Sequence, residues 1–268
     1  MLTNSDRSRA QVRIEELLGY GLKPKEFQFK PAKDEFLNFK LPLSEVSTFE
    51  DKLLKDGRDL FFKGSLSFYQ GIFDLHHGLH SWSMVKFYYS IFYFLKASLA
   101  MRGIAVIRCK SLFTLKSKKH AIPIKVTGRG DHKTIIKIWR ELVTEVDDIL
   151  LANTVDEVET YTWMMDVREI IQYRRKGYME PKVDSFLTDV PLDNLDKQFQ
   201  LYAAEPNSLF SFNPEHACLA IPLKRFLLSY EDLMQKNMDL TSHEKMVLLS
   251  LVRPYFNSRS VIIKPLIN

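Results

Sequence analysis

Ser81-Trp82-Ser83-Met84-Val85-Lys86-Phe87-Tyr88-Tyr89-Ser90-Ile91-Phe92-Tyr93 is the stretch on which the fold turns. From here to Arg102, Trp82, Val85, Tyr88, Tyr89, Phe92, Leu95 and Leu99 recur at intervals of mostly three and four, the period of an α-helix. Phe87, Ile91, Tyr93 and Phe94 fill much of the remaining circumference. A helix that is apolar nearly all round belongs at the centre of a bundle. Its aromatic stripe has an alternative use, the stacking of nucleobases. At helical spacing in so apolar a context it reads as core.

Working outward, residues 6–19 predict a helix on Val12, Ile14, Leu17 and Leu18. Residues 23–43, broken by Pro24, Pro31 and Pro42 and punctuated by Phe27, Phe29, Phe36 and Phe39, predict an extended aromatic arm or a short strand pair. Ser47-Thr48-Phe49-Glu50 has the form of a capping box, with a helix over 48–74 broken near Gly57 or Gly64. After the central helix, three β-prone pieces (104–107, 111–115, 121–126) are joined by basic turns. A helix over 132–151 follows, striped by Ile135, Trp139, Leu142, Val146 and Ile149. Thr154-Val155-Asp156-Glu157 is a second capping pattern, opening a helix to Tyr173. Thr241-Ser242-His243-Glu244 is a third, opening a helix to Phe256. Residues 191–203 and 214–236 predict further helices, the latter kinked at Pro222, and Val261 to Leu266 reads as a strand that joins the small sheet. The expected fold is therefore mainly α, with a small β insert. Its expected divisions are 1–47 (helix and arm), 48–181 (helical core with the basic insert at 104–131) and 182–268 (helical extension).

With 268 residues, 46% hydrophobic and 26% charged, the chain has ample material for a core and is not a disordered or fibrous protein. Two cysteines, Cys109 and Cys218, are too few for a disulfide framework or a four-thiolate zinc site. Met1 to Ala10 lacks the apolar core of a leader, and the nine uncharged residues from Phe87 to Leu95 fall short of the roughly 20 a span needs. A cytoplasmic protein without membrane contact is expected. No phosphate-binding glycine loop, dinucleotide fingerprint or Gly-x-Ser-x-Gly elbow occurs, so no cofactor is expected.

The net charge of +5 is distributed in blocks. Arg108 to Arg140 holds ten Lys or Arg against Asp131 alone, a block of +9, whereas Glu141 to Asp166 holds eight acids and no Lys or Arg. The first block reads either as a nucleic-acid or partner surface, carried by Lys116, Lys118, Lys119, Arg129 and Lys133, or as a face neutralised by the acidic one. Arg168, Gln172 and Arg175 fall on one helix face by their spacing, as a phosphate- or partner-binding edge. The plainer reading pairs Arg168 with the acids upstream. His76 and His80 have the spacing of a metal pair, but Gly78 between them favours a structural turn, and no metal site is expected. His132 opens a helix, where the dipole lowers its pKa and suits it as a base or cap, with capping by Asp131 the simpler account. His216 and Cys218 form a weak possible thiolate or metal pair.

The aromatic helix Ser81–Tyr93, the basic insert, Gly130-Asp131-His132-Lys133 opening the next helix, and Arg168, Arg174, Arg175 and Tyr178 closing the one after resemble HEPN-type helical bundles. The aromatic helix is also similar to that of YaaC-like proteins. The resemblance spans about 100 residues. It implies a HEPN-like bundle with extra terminal helices, and membership of a prokaryotic defence or toxin–antitoxin type assembly. Many such proteins are metal-independent ribonucleases in which Arg is followed by four to six residues and then His. Cleavage by a ribose 2′-hydroxyl needs a base, an acid and a cation for the phosphate. Here no His follows Arg168, Arg174 or Arg175 until His216, and Tyr173 stands where Arg168 would want its His. A non-catalytic or weakly catalytic accessory subunit is expected, binding protein subunits of a larger complex and, through the insert, RNA or DNA. A homodimer is a further expectation. The alternative is a metal-independent ribonuclease using Arg174 or Arg175, with Tyr178, His80, His132 or His77 considered for the missing acid–base group.

Overall fold

The computed structural model describes residues 7–128, 130–180, 182–183, 185–188 and 190–267. The chain is mainly helical. Its centre is an antiparallel pair, α3 (Val46–His76) and α4 (His80–Met101). The turn between them is made by His77, Gly78 and Leu79, with Gly78 at φ 72°, a backbone state glycine adopts without strain.

α3 is unbroken over 31 residues, so the expected interruption at Gly57 or Gly64 does not occur. Those glycines serve packing instead. A Cβ on Gly57, Gly64 or Gly71 would stand 2.8, 2.7 or 2.8 Å from Met101, Phe94 or Phe87. Both sets repeat every seven residues, and the three pairs share one antiparallel register. Absent side chains on α3 thus receive large ones from α4, and a seven-residue repeat keeps that seam aligned. The Ser47 cap is not used either: the helix begins at Val46, and Glu45 precedes it with no side-chain cap.

Around this pair stand α5 (Asp131–Leu142), α6 (Thr160–Glu169), α7 (Leu195–Ala204), α8 (Pro214–Gln235), α9 (Ser242–Val252) and α10 (Lys264–Ile267). Their apolar residues share one large core with the second half of α3 and with α4, drawing on both sides of residue 182. At its centre Arg225 of α8 is fully buried. It donates to Asp148 Oδ2 (2.9 Å), Ser98 Oγ (3.0 Å) and Ser229 Oγ (3.1 Å), and Asp148 also accepts from Trp139 Nε1 (2.8 Å), Tyr161 and the Leu150 amide (3.1 Å). Burial alone would lower the Arg225 pKa. Tyr161, Asp148 and Asp232 outweigh it and hold it above its ordinary value.

A second, smaller core joins the N-terminal segment to the sheet. α1 (Arg9–Leu17) appears as expected, but the expected arm is helical: α2 covers Lys30–Leu37, because Pro31 sits in the first turn, where its missing N–H costs nothing. Phe27 and Phe36 are buried there, and Phe29 is exposed. The insert is the expected sheet: β1 (Ile104–Cys109), β2 (Ser111–Lys116) and β3 (Ile124–Lys125), antiparallel in that order. Ala105 opposite Leu115 and Ile107 opposite Phe113 form its buried face, and Phe113 meets Phe36 edge-on at 5.2 Å.

Three further expectations are corrected. The helix expected over 132–151 stops at Leu142: Val143 is extended, and Thr144 bonds Asp147 in a turn that leaves Val146 96% exposed. Thr154–Glu157 caps nothing. Thr154–Val155 (β4) and Val158–Glu159 (β5) form a hairpin with Asp156 and Glu157 both at positive φ, and Glu159 is the true cap of α6, accepting from the Thr162 amide at 3.1 Å. The tail forms α10 against α9 rather than joining the sheet. The capping box at Thr241 and Glu244 is present in full.

Candidate functional site

α4 turns one edge outward. Trp82 is 41% exposed, and Tyr89, Phe92, Tyr93 and Lys96 are partly exposed, so this edge of the expected core stripe is surface. Tyr88, beside them, is buried and keeps its polar tip for a partner. That partner is His132 in the first turn of α5, whose Nδ1 lies 2.7 Å from the Tyr88 hydroxyl. The imidazole also lies 4.3 Å from the Phe92 ring. Gly130, φ 77°, precedes helix α5 and offers it no side-chain cap; Asp131, its first residue, pairs with Arg108.

Arg168, in the last turn of α6, completes the cluster. Its guanidinium stands 4.9 Å from the Tyr88 ring and 5.6 Å from that of Tyr173. It is 6% exposed, donates to Gln172 Oε1 at 3.4 Å, and leaves Nε buried without an acceptor. The expected pairing with the acidic block is not made: among the described residues no carboxylate lies within 4.0 Å of Arg168. Burial, then the charges of Arg168 and Lys96, lower the His132 pKa, so the ring is neutral near pH 7. Burial raises the Tyr88 pKa well above its ordinary value, so it stays a phenol.

Two lysines extend the edge. Lys63 of α3 lies 4.5 Å from the Tyr93 ring, and Lys96 lies 5.5 Å from the Phe92 ring. Neither has a carboxylate within 4.0 Å among the described residues. Burial and then the charge of Lys63 lower the Lys96 pKa. Lys63, Lys96 and Arg168 thus form a cationic row, with the neutral His132 beside it, interleaved with partly exposed aromatic rings.

The other candidates fall elsewhere. α6 ends in a π-turn, Ile170–Arg174, which advances the chain so that Arg175 leaves the Arg168–Gln172 face and stacks on Phe186 at 5.5 Å. Arg174 points outward, 3.6 Å from Glu169. Tyr178 is half exposed against Trp82, ring centres 5.5 Å apart. His80 is buried at the start of α4, 3.4 Å from the Lys182 carbonyl, while His76 stacks on Tyr255 at 4.2 Å, so the two do not form a pair. His77 bonds the Phe73 carbonyl at 2.7 Å. Lys116 and Lys118 line a hollow beside Arg102 and Lys236, and Lys119 is exposed on the same turn. Lys133 lines a different groove, with Arg140 and Met165. The insert's cations are therefore split between surfaces, and Arg129 lies outside the described residues.

Among the described residues a single ion pair, Lys137–Glu141 at 3.7 Å, joins the basic block to the acidic one, and Lys133, Lys137 and Arg140 share a groove with Glu141 and Asp166. His216 Nδ1 lies 2.9 Å from the Tyr202 hydroxyl. Burial pushes the Cys109 thiol up to about 11, which leaves it unreactive. No group of three His, Cys, Asp or Glu that could hold a metal occurs among the described residues, and none of their helices is long and apolar enough to cross a membrane.

Sequence reasoning missed the roles of Tyr88, Lys63 and Lys96. One signal was available for Lys96: a lone charge following nine uncharged residues inside a helix. No family model, curated protein or solved structure matches the chain.

Proposed function

We propose that this protein is a non-catalytic or weakly catalytic accessory subunit of a prokaryotic defence or toxin–antitoxin type assembly. In this reading it is built on a HEPN-like bundle, acts in the cytoplasm, and binds a protein partner and single-stranded nucleic acid. One observation carries the nucleic-acid part. Lys63, Lys96 and Arg168 have aromatic rings beside them and, among the described residues, no carboxylate within 4.0 Å, along an edge where Tyr89, Phe92 and Tyr93 are partly exposed. Single strands are held by that combination: cations follow the phosphates and rings stack on bases without regard to sequence. The assembly and the protein partner rest on the HEPN resemblance alone. A fluorescent oligonucleotide titrated in EDTA tests the binding. Affinity that falls with salt, and falls on Tyr93→Ala, supports it; affinity indifferent to both refutes it.

The convergence of His132 and Arg168 on Tyr88 favours a second reading, a metal-independent ribonuclease. A neutral imidazole beside a guanidinium supplies a base and a phosphate cation from two helices. RNA cleavage in EDTA that disappears in both His132→Gln and Arg168→Gln would establish this reading over the first.

A further inference from the structure

Behind the lysine end of this edge lies a cavity of about 390 Å³, between the start of α1, the middle of α3, the last turns of α4 and the start of β1. That is within the range of small-molecule sites, about 300–1,000 Å³. One wall is apolar: Leu53, Leu60, Ala100, Ile104 and Val106. Its two carboxylates are already engaged. Asp56 accepts from the amides of Arg9 (2.8 Å) and Ala10 (2.9 Å) and from Ser8 Oγ (2.6 Å), and Asp59 takes Arg9 Nη1 at 2.7 Å. Arg7 and Arg9 also line the cavity and are held in ion pairs, Arg7 by Glu15 and Arg9 by Asp56 and Asp59. The cations left for a ligand are Lys63 and Lys96, and among the described residues neither has a carboxylate within 4.0 Å.

We propose that this cavity binds a phosphate monoester bearing an apolar or planar group, of the class of a nucleoside monophosphate, with Lys63 and Lys96 on the phosphate and the apolar wall against the organic part. A phosphate monoester carries nearly two negative charges near neutral pH, matching two ammonium groups where a carboxylate would match one. Binding also relieves the repulsion of Lys63 on Lys96, which Asp131 and Asp56 oppose from their own sites. The same chemistry has two sources, a free mononucleotide or the phosphorylated end of a strand lying along α4. The cavity does not depend on the single-strand reading, because a free mononucleotide would occupy it alone.

Calorimetry on the full chain tests this, with adenosine monophosphate, adenosine and inorganic phosphate as probes. 5′-Phosphate and 5′-hydroxyl forms of one short oligonucleotide distinguish the sources. Adenosine monophosphate is expected to bind at least tenfold tighter than adenosine, and Lys96→Gln and Lys63→Gln are each expected to lose roughly tenfold, the scale of one charge-assisted hydrogen bond. Lys63 is exposed, so its variant keeps the test valid if Lys96→Gln fails to fold. A 5′-phosphate preference that vanishes in Lys63→Gln assigns the site to a strand end. A gain confined to adenosine monophosphate assigns it to a free nucleotide. Equal binding of adenosine and its monophosphate, or a Lys63→Gln chain that binds the monophosphate as the unaltered chain does, overturns the proposal. The single-strand reading is judged on the 5′-hydroxyl strand, so the two fail separately.

Discussion

Salt dependence gives the single-strand reading a number. Each phosphate neutralised on a single strand releases counterions and contributes about −0.7 to the slope of log K against log salt. Three cations on the α4 edge, Lys63, Lys96 and Arg168, have no carboxylate within ion-pair distance among the described residues, so they are the ones able to release counterions on binding. The expected slope is therefore about −2. Between 50 and 200 mM salt, a fourfold change, affinity should fall roughly 20-fold. Arg168→Gln should reduce the slope by about 0.7, because the neutral amide keeps the contact with Tyr88 and Gln172 but not the charge. Arg174→Gln is the control: that side chain is 65% exposed and faces Glu169, and its loss should leave the slope unchanged. Fluorescence anisotropy of a labelled 5′-hydroxyl oligonucleotide in EDTA reads all of these, with circular dichroism confirming the fold. A slope shallower than about −1 in the unaltered chain, or an equal slope after Arg168→Gln, would refute the reasoning.

Three other outcomes follow from the packing. Gly64→Ala places a Cβ 2.7 Å from the Phe94 ring at the α3–α4 seam, and should cost about 1–3 kcal/mol in a urea unfolding curve. Asp148→Ala leaves Arg225 buried beside a lost acceptor, and should cost about 3–5 kcal/mol, whereas joint replacement of Asp148 and Arg225 by apolar residues should cost less than the single change. The His132 pKa is lower folded than unfolded, so its contribution to stability is present above the ordinary histidine value and is lost as pH falls below it; His132→Gln should flatten the urea midpoint between about pH 7 and 5.

The central helix was legible because nothing competes with a long apolar period: His80–Met101 lies within two residues of its sequence reading. The sheet was legible in outline, since short apolar runs at 104–107 and 111–115 stand between basic residues, but of the piece read at 121–126 only Ile124–Lys125 forms a strand. Elements governed by contacts distant in sequence were not. Gly57 and Gly64 read as helix breaks because local propensity counts against glycine, while the side chains that require them, Met101 and Phe94, lie 44 and 30 positions away. Thr154–Glu157 matches a capping box letter for letter. The match fails because Asp156 and Glu157 are needed as a hairpin tip, and only the pairing partners reveal that.

The candidate site was legible in its parts and not in its assembly. A linear search for Arg followed closely by His finds nothing, because the imidazole that shares Tyr88 with Arg168 comes from 36 residues upstream, at the start of another helix. Tyr88 joins the two: its ring lies against the guanidinium and its hydroxyl against the imidazole. A buried phenol that cannot readily ionise fixes the geometry without supplying a proton near neutral pH, so the arrangement constrains both functional readings. For a strand binder, Tyr88 orients a phosphate cation at the edge of a stacking surface. For a ribonuclease, it occupies His132 Nδ1 and leaves only Nε2 to act on a substrate. Removing the hydroxyl separates them. Tyr88→Phe frees Nδ1 while keeping the ring under Arg168, so it should leave strand affinity within about twofold, because stacking and charge are unchanged. If the protein cleaves RNA, the same variant should shift the acidic limb of the pH–rate profile, because the imidazole loses a bond that sets its tautomer. A strand affinity that collapses in Tyr88→Phe would mean that the hydroxyl, not the cationic row, holds the strand.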